Sequence, residues 1–220
     1  MVVRRLLKEA VYRLAPHRLR LPTYPYMVHP AGLAFLCGCL EQTAKVPGAI
    51  VEIGCAWGCT TLFLNRQLDW LHSDKPYMTI DTFSGFPPEH TEYEATARGK
   101  DRDFLNKAFR STGVSEVWFR RAMAQAGVTR VQTVKSDISK YTFDPALRIS
   151  FCFIDVDLYL SVRDALEKVR PLMSPGGIIA VHDCRGVDWS DGARQAYEEF
   201  VSRHDLPMEL AADVFGVVRA

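Results

Sequence analysis

Short apolar runs alternate along the chain with longer stretches in which apolar residues recur at helical spacing. The runs predict buried strands, since strands of a covered parallel sheet are apolar throughout. Strands are predicted at residues 49–52, 77–80, 129–135, 149–156 and 178–181, helices at 31–45, 59–71, 117–126, 161–173 and 192–204, and a closing hairpin at 208–210 and 214–218. This order predicts an α/β fold, with a doubly wound, mostly parallel seven-stranded sheet, helices on both faces and a C-terminal β-hairpin.

The first strand leads through the sequence IVEIGCAWGCT into a helix. The pattern is E-x-G-x-x-x-G, formed by Glu52, Gly54 and Gly58. A glycine turn between a strand and a helix N-terminus lets the backbone approach a ligand closely. Ala56 stands where the dinucleotide fingerprint has its second glycine, and no Walker-type phosphate loop is present. By itself, the pattern is equally consistent with a plain tight turn.

Acidic residues also follow the second and third predicted strands. Asp81 ends the second strand, where an acid can accept hydrogen bonds from both hydroxyls of a ribose. The third strand ends in Ser136-Asp137-Ile138, where Asp137 and Ile138 could meet the amino group and face of an adenine. Either aspartate could instead cap a turn, and for Asp137 that alternative is equally favoured.

The fourth and fifth strands carry a second group of polar residues. Asp155 and Asp157 end the most apolar run, ISFCFIDV, and His182-Asp183 ends the next strand. Carboxylates at the end of a buried strand are costly unless they are paired or bind a cation. Because the two strands should be neighbours, Asp155, His182 and Asp183 form a candidate divalent metal site.

Composition restricts the alternatives. The 220 residues are 48% hydrophobic and carry a formal net charge of +1, which suits one packed domain and offers no basic footprint for nucleic acid. The six cysteines lack zinc-site spacing and are expected to be reduced thiols of a cytoplasmic protein. No apolar stretch reaches membrane-spanning length, and no signal peptide is expected.

Two segments are expected to cover the domain. Residues 1–45 are interpreted as an N-terminal helical cap, whose basic amphipathic start could contact a membrane surface or a second subunit in a homodimer, or simply pack on its own domain. Residues 82–113 lack a strong period and are interpreted as a lid or mobile insertion, with a short helix near 104–109. Candidate lid side chains over the acceptor are Tyr93, Phe104 and Trp118.

The segments VEIGCAWG, DTFSGFP, FIDVDLYLSVRDALEKVRPLMSPGGIIAVHD and GARQAYEEF resemble the Rossmann-like class I S-adenosylmethionine-dependent methyltransferases, and more narrowly the macrocin O-methyltransferase family of sugar-hydroxyl methylases. The resemblance implies methyl transfer from S-adenosylmethionine to a hydroxyl of a small molecule, such as a sugar of a glycosylated natural product or a surface saccharide. It also implies a set of cofactor-binding residues: Glu52, Gly54, Ala56 and Gly58 at the amino-acid end, Asp81 at the ribose with Thr82 and Phe83 beside it, Asp137 and Ile138 at the adenine, and Asp155 bordering the cofactor.

The resemblance further implies a magnesium ion, which relatives hold with an acid like Asp155 and two adjacent aspartates on the next strand. This chain has His182-Asp183 there instead, and histidine is a poorer magnesium ligand than a carboxylate. Either the metal is a different one or binds more weakly, or His182 serves as a base and no metal binds. Asp157 matches the general base of similar enzymes. A nicotinamide-dependent oxidoreductase and a catalytically inactive cofactor-binding protein remain alternatives.

Overall fold

A computed structural model describes residues 24–103, 105, 114–185 and 191–220. The helices are α1 (Pro30–Gln42), α2 (Cys59–Trp70), α3 (Pro88–Thr96), α4 (Glu116–Gln125), α5 (Tyr159–Val169) and α6 (Asp191–Arg203). The strands are β1 (Ala49–Ile53), β2 (Tyr77–Asp81), β3 (Val131–Lys135), β4 (Ile149–Ile154), β5 (Met173–Val181), β6 (Glu209–Ala211) and β7 (Phe215–Arg219). A 3₁₀ turn, Arg170–Leu172, joins α5 to β5.

The strands form one seven-stranded sheet in the order β3-β2-β1-β4-β5-β7-β6. The pairs among β1 to β5 are parallel, and β7 runs antiparallel to both β5 and β6. The predicted fold is therefore confirmed. The chain order reverses at β1, which lies between β2 and β4, and ligands of such sheets bind outside the carboxyl ends of the strands at that point.

Alternation of side chains along β4 divides the core into two layers. Phe151 and Phe153 face the side covered by α1 and α2, whereas Cys152 and Ile154 face α5 and α6. All six residues of β4 are buried, as the apolar run predicted. Burial on both faces holds this strand rigidly at the centre of the sheet, so the residues that follow it are fixed in position.

The two largest departures from the predicted elements concern the last parallel strand and the segment after β2. The last parallel strand begins at Met173 and not at residue 178, because Pro175-Gly176-Gly177 lies within the strand as an irregularity in the β4–β5 register. The segment after β2 contains α3, which the sequence pattern did not predict because its buried residues are polar: His90, Thr91 and Glu94.

Several predictions fall outside the described residues. The basic N-terminal helix, most of the short helix near 104–109 and the side chain of Phe104 belong to this group. Of the predicted cap, the structure describes α1, whose Leu33, Leu36 and Leu40 pack into the core. None of the helices in the described ranges is long and apolar enough to cross a membrane.

Candidate active site

A crevice with a cavity of about 340 Å³ opens at the carboxyl ends of β1 to β5. Its size is at the lower end of the range for small-molecule sites. Most of the predicted site residues line it together: Glu52, Gly54, Ala56, Asp81, Thr82, Asp137, Ile138, Asp155, Asp157, His182 and Asp183. The sheet topology thus brings residues from five separate strand ends into one cavity.

Gly54 joins the two halves of this crevice. Its φ of +86° favours glycine, and a Cβ atom there would lie 2.0 Å from the carbonyl oxygen of Asp155. The loop after β1 therefore packs directly against the loop after β4. Any side chain at this position would force the two loops apart.

Asp81 binds the backbone of the glycine turn. Its Oδ2 accepts hydrogen bonds from the amides of Cys55 (2.8 Å) and Ala56 (3.0 Å), and its Oδ1 accepts one from the Phe83 amide (2.7 Å). An ionised carboxylate has about four acceptor positions, so these three bonds leave about one for a ligand hydroxyl. The sequence left two roles open for Asp81, turn capping and ribose binding. In the structure Asp81 caps a turn and still faces the crevice, so the two roles are compatible.

Glu52 lies at the floor of the crevice with no exposed surface. Its Oε2 accepts hydrogen bonds from the hydroxyls of Thr61 (2.6 Å) and Tyr77 (2.9 Å), while no group in the described residues bonds its Oε1. Burial raises the pKa of Glu52 to about 8, aided by the charges of Asp155 and Asp81 and opposed by the two hydroxyls. Near neutral pH, the side chain is mostly a carboxylic acid that can donate a hydrogen bond.

Asp137 starts the turn that follows β3. Its Oδ1 accepts a hydrogen bond from the Ser139 amide (2.9 Å), which is the turn-capping role. Its Oδ2 is buried without a hydrogen-bond partner among the described residues, and the nearest cation, Lys140 Nζ, is 3.7 Å away. A buried acceptor without a donor is costly, so this atom suits the amino group of a ligand. Ile138 lines the crevice next to it.

Lys168 of α5 holds the same turn and was not identified from the sequence. Its ammonium donates to three backbone carbonyls, those of Ile138 (2.8 Å), Ser139 (2.7 Å) and Tyr141 (2.8 Å). All three donors of the lysine are thereby used. A lysine late in a helix is usually solvated, so the sequence carries no signal for this contact.

Asp155, His182 and Asp183 meet at the ends of β4 and β5. Nδ1 of His182 lies 3.0 Å from Oδ1 of Asp155 and 3.3 Å from Oδ1 of Asp183. One ligand atom from each of the three residues lies within 4.8 Å of the others. Burial would lower the pKa of His182, but its hydrogen bonds to the two carboxylates and their charges raise it to about 11. Without a bound cation, His182 is an imidazolium between two acids.

Asp157 is the fourth polar group of this cluster. Its φ of +56° is unusual for a residue with a side chain, as is the +60° of Asp183. Burial raises the pKa of Asp157 well above its ordinary range, and its hydrogen bond to Asp183 and the charges of Asp183 and Asp155 add to the increase. Asp157 therefore carries a proton that it donates to Asp183, which is the ionised member of the pair.

These donors fit a divalent cation in kind and number. Two carboxylate oxygens and one imidazole nitrogen converge, and three protein ligands leave coordination positions open for another molecule. The Asp157 proton and the imidazolium proton compensate the charge that a cation would otherwise balance. Binding of a cation would therefore release protons from this cluster.

Two predicted cofactor residues do not line the crevice. The side chain of Phe83 is buried in a small apolar cluster with Cys55 and Phe119, so its contribution to the crevice is the amide bound by Asp81. Gly58 is the N-cap of α2, and a Cβ there would lie 2.8 Å from the Phe119 ring. Both residues shape the turn from behind, because the chain reverses between β1 and α2.

Two of the candidate lid side chains, Tyr93 and Trp118, also lie off the crevice lining. Tyr93 stacks on Tyr159 with ring centroids 5.7 Å apart. Trp118 is 46% exposed and meets Trp57 edge to face at 5.6 Å. Trp57, which the sequence analysis did not single out, does line the crevice.

A second contact missed by the sequence analysis fixes the loop that carries Asp155 and Asp157. Glu94 of α3 is buried, and its Oε1 accepts a hydrogen bond from the Tyr159 amide (2.7 Å) at the start of α5. Its Oε2 accepts a hydrogen bond from Arg98 (2.7 Å), which in turn pairs with Asp191. The segment after β2 is thus tied to the helix that follows the acid cluster, a contact across 65 residues that no local pattern reveals.

The sequence is similar to those of known O-methyltransferases. A sequence profile of the family described as macrocin-O-methyltransferase (TylF) matches residues 22–218. A 4'-O-methyltransferase of Streptomyces olivaceus, named for 8-demethyl-8-(2,3-dimethoxy-alpha-L-rhamnosyl)-tetracenomycin-C, is 28% identical over 180 residues. The match covers 76% of this chain and 64% of the relative, so the chain matches just under two thirds of that protein's length.

Solved structures share the fold. The O-methyltransferase NovP aligns with a TM-score of 0.76 at 21% identity, covering 90% of this chain and 82% of NovP. The calicheamicin methyltransferase CalS11 aligns with a TM-score of 0.66 at 18% identity, covering 98% of this chain and 90% of CalS11. A second structure of CalS11, described as a TDP-rhamnose 3'-O-methyltransferase, aligns with a TM-score of 0.59 at 19% identity, covering 98% of this chain and 91% of that one.

Proposed function

This chain belongs to the macrocin-O-methyltransferase family, and from that membership and the geometry of its crevice we propose that it is an S-adenosylmethionine-dependent O-methyltransferase. The acceptor would be a hydroxyl of a deoxysugar such as rhamnose, carried by a natural product or a nucleotide. The names of the Streptomyces olivaceus relative and of CalS11, which both mention rhamnose, support this choice of acceptor. A divalent cation held by the Asp155 cluster would assist.

The observation that carries the proposal is the division of the crevice into two chemically different halves. The ends of β1 to β3 present a glycine turn, a carboxylate with one free acceptor position and a buried acceptor without a donor. These groups suit the amino-acid, ribose and adenine portions of the nucleoside, in that order. The ends of β4 and β5 present acids and a histidine, which suit a hydroxyl that must lose a proton.

In this proposal, the residues of the first half bind the cofactor. Gly54 and Ala56 let it approach the backbone, and the protonated Glu52 below them can donate a hydrogen bond from the floor. Oδ1 of Asp81 accepts from one ribose hydroxyl, and Oδ2 of Asp137 accepts from the adenine amino group. When bound, the cofactor supplies an activated methyl group on a sulfonium.

The second half would orient the acceptor and remove its proton. Asp155, His182 and Asp183 would hold the cation, which lowers the pKa of a bound hydroxyl. Once cation binding has released the proton that Asp157 carries, its carboxylate would accept the hydroxyl proton, because it is the one acid of the cluster that is not among the cation ligands. His182, as an imidazolium or a cation ligand, has no free electron pair for that role. Alignment of the hydroxyl with the methyl group could contribute roughly 7 to 11 kcal/mol of the barrier reduction.

The proposal is tested first by cofactor binding. Calorimetry of the purified protein with S-adenosylhomocysteine should show saturable binding, and NAD⁺ should show none. Binding of NAD⁺ alone would replace the methyltransferase proposal with the oxidoreductase alternative.

Methyl transfer is tested with methyl-labelled S-adenosylmethionine and two acceptors, TDP-rhamnose and a rhamnosylated tetracenomycin. Label is expected in at least one of them, and Asp157→Asn should bind S-adenosylhomocysteine normally while transferring no label. If the wild type binds the cofactor and labels neither acceptor, the deoxysugar assignment is wrong. If Asp157→Asn transfers label at the wild-type rate, Asp157 is not the base.

A further inference from the structure

The candidate cation site of this chain contains a nitrogen donor. His182 immediately follows β5 and precedes Asp183, so it occupies the first of the two adjacent positions at that strand end. Its Nδ1 atom faces the Oδ1 atoms of Asp155 and Asp183 at 3.0 and 3.3 Å. The donor set is therefore two oxygens and one nitrogen.

The His182 side chain is held in place and is not a freely turning surface group. It is 8% exposed, and its ring packs against those of Phe215 (5.2 Å between centroids) and Phe153 (6.4 Å). The backbone amide of His182 donates to the carbonyl of Ile154 (2.8 Å), which continues the β4–β5 ladder. Packing and backbone pairing together aim Nδ1 at the two carboxylates.

A nitrogen ligand changes which cation the site prefers. Mg²⁺ demands a near-octahedral shell of oxygen ligands and keeps much of its water. Imidazole suits first-row transition ions, and the affinity of nitrogen-containing sites rises from Mn²⁺ through Co²⁺ to Cu²⁺ and remains high for Zn²⁺. Two carboxylates and one imidazole therefore favour these ions over Mg²⁺.

We propose that the Asp155, His182 and Asp183 site selects Co²⁺ or Zn²⁺ over Mg²⁺, and that His182 is the residue that sets this preference. The inference rests on the proposed function only for the site's role in methyl transfer. The preference itself is a property of the donor atoms and can be measured without a methyl acceptor.

The test is direct titration of chelator-treated protein with CoCl₂, ZnCl₂ and MgCl₂, followed by calorimetry and, for cobalt, by visible absorption. The wild type should bind Co²⁺ and Zn²⁺ at one site at least an order of magnitude more tightly than Mg²⁺. Bound Co²⁺ should show d–d bands typical of mixed nitrogen and oxygen ligation.

The informative variant is His182→Asp, which replaces the nitrogen donor with an oxygen donor. It should lose at least an order of magnitude in Co²⁺ and Zn²⁺ affinity and keep or improve its Mg²⁺ affinity. The matched control is His204→Gln, because His204 and Glu167 form another histidine–carboxylate pair (3.2 Å) at the far end of α6. That control should leave all three affinities unchanged.

Two results would overturn the inference: Mg²⁺ bound by the wild type as tightly as Co²⁺, or no cation bound at one-to-one stoichiometry. If His182→Asp does not fold, judged by circular dichroism, His182→Asn provides the second variant, which also removes the nitrogen donor and should lower the Co²⁺ affinity by a similar factor. Failure here is distinct from failure of the proposed function. Protein that binds S-adenosylhomocysteine but no cation retains the methyltransferase proposal, whereas selective cation binding without S-adenosylhomocysteine binding retains only the cation inference.

Discussion

The two halves of the crevice solve the problem of buried acids in different ways. At the end of β2, Asp81 accepts hydrogen bonds from amides of its own turn and of the glycine turn after β1. At the end of β3, Asp137 accepts one from an amide of its own turn. At the ends of β4 and β5, Asp155, Asp157 and Asp183 accept few such bonds, and their charge is balanced by the His182 imidazolium and a shared proton. The carboxylates of the first half therefore need no cation, whereas the charge of those in the second half is balanced by protons that a cation would displace.

This contrast suggests a division of labour. Amide-capped carboxylates are fixed in position, which suits a site that binds the same nucleoside in every turnover. Acids that share protons have shifted pKa values and change charge readily, which suits proton transfer. If the two halves are independent, substitutions in one should leave the other unchanged, except at Gly54, which joins them.

The largest effect is expected from Gly54→Ala, which would break both halves at once. The added Cβ would lie 2.0 Å from the Asp155 carbonyl oxygen, a backbone atom that cannot move without displacing the loop after β4. Together with the strain of a positive φ, this should lower the free energy of unfolding by about 3 kcal/mol or more. Urea denaturation at pH 7 measures the change.

Gly127→Ala is the matched control for that variant. Gly127 has a similar φ of +74°, but a Cβ there meets nothing within 4 Å. Only the backbone strain remains, so the loss should be about 1 kcal/mol. Equal losses for the two variants would show that the loops after β1 and β4 are not in tight contact.

Glu52→Gln tests the floor that lies below both halves. The pKa of Glu52 is raised from 4.5 to about 8, so the folded protein keeps this proton over a range in which the unfolded chain has lost it. Stability from this group is therefore fully present below pH 4.5 and is lost as the pH rises towards 8. Glutamine is neutral at every pH and resembles the protonated acid in shape.

The unfolding free energies of wild type and Glu52→Gln should therefore diverge as the pH rises. The wild type should lose a few kcal/mol relative to the variant between pH 4.5 and about 8, with no further divergence above that range. Chemical denaturation at a series of pH values measures the difference. Parallel curves would mean that Glu52 is ionised in the folded protein.

Asp81→Ala separates the halves. It leaves the amides of Cys55, Ala56 and Phe83 without their acceptor and removes the proposed ribose contact. The affinity for S-adenosylhomocysteine should fall by about 1.5 to 3 kcal/mol in calorimetry, which is the usual contribution of hydrogen bonds to a charged group. Unchanged affinity would remove Asp81 from the cofactor site.

Asp155→Asn is the counterpart in the other half. It should abolish methyl transfer and weaken Co²⁺ binding while S-adenosylhomocysteine binds with little change, because the nucleoside contacts lie on the ends of β1 to β3. A large loss of S-adenosylhomocysteine affinity in Asp155→Asn would show that the halves are coupled. Full activity of this variant after chelator treatment would refute the role of the cation.

The sequence predicted the strand ends better than it predicted the contacts among them. Each acid follows an apolar run, and parallel strands end at the same edge, so their convergence could be inferred from order alone. Which partner each acid takes depends on distances across the sheet. Two of the three amides that bind Asp81 lie 25 and 26 residues away, and the capping of α5 by Glu94 spans 65 residues, so these contacts have no local signal.

The same reasoning explains Phe83, a predicted cofactor residue whose side chain lies off the crevice. Phe83 follows Asp81 closely, and proximity in sequence suggested proximity to the ligand. Its positive φ of +51° turns the side chain into the cluster below the glycine turn. A one-residue change of direction of this kind is set by packing against Phe119, which lies on a distant helix.

The smallest effect is expected from Lys168→Met, which tests the support of the turn after β3 in the first half of the crevice. The variant keeps the length and apolar stem of the side chain but loses three hydrogen bonds to the turn that carries Asp137 and Ile138. The turn should become less well ordered, so the affinity for S-adenosylhomocysteine should fall by about 1 kcal/mol. Lys75→Met is the control, since the Lys75 ammonium donates to the backbone carbonyls of Val46 and Gly48 at the end of the sheet opposite the crevice, and its loss should change the affinity by less than about 0.5 kcal/mol. If Lys168→Met instead alters Co²⁺ binding as strongly as it alters nucleoside binding, the two halves share one support through α5 and are not independent.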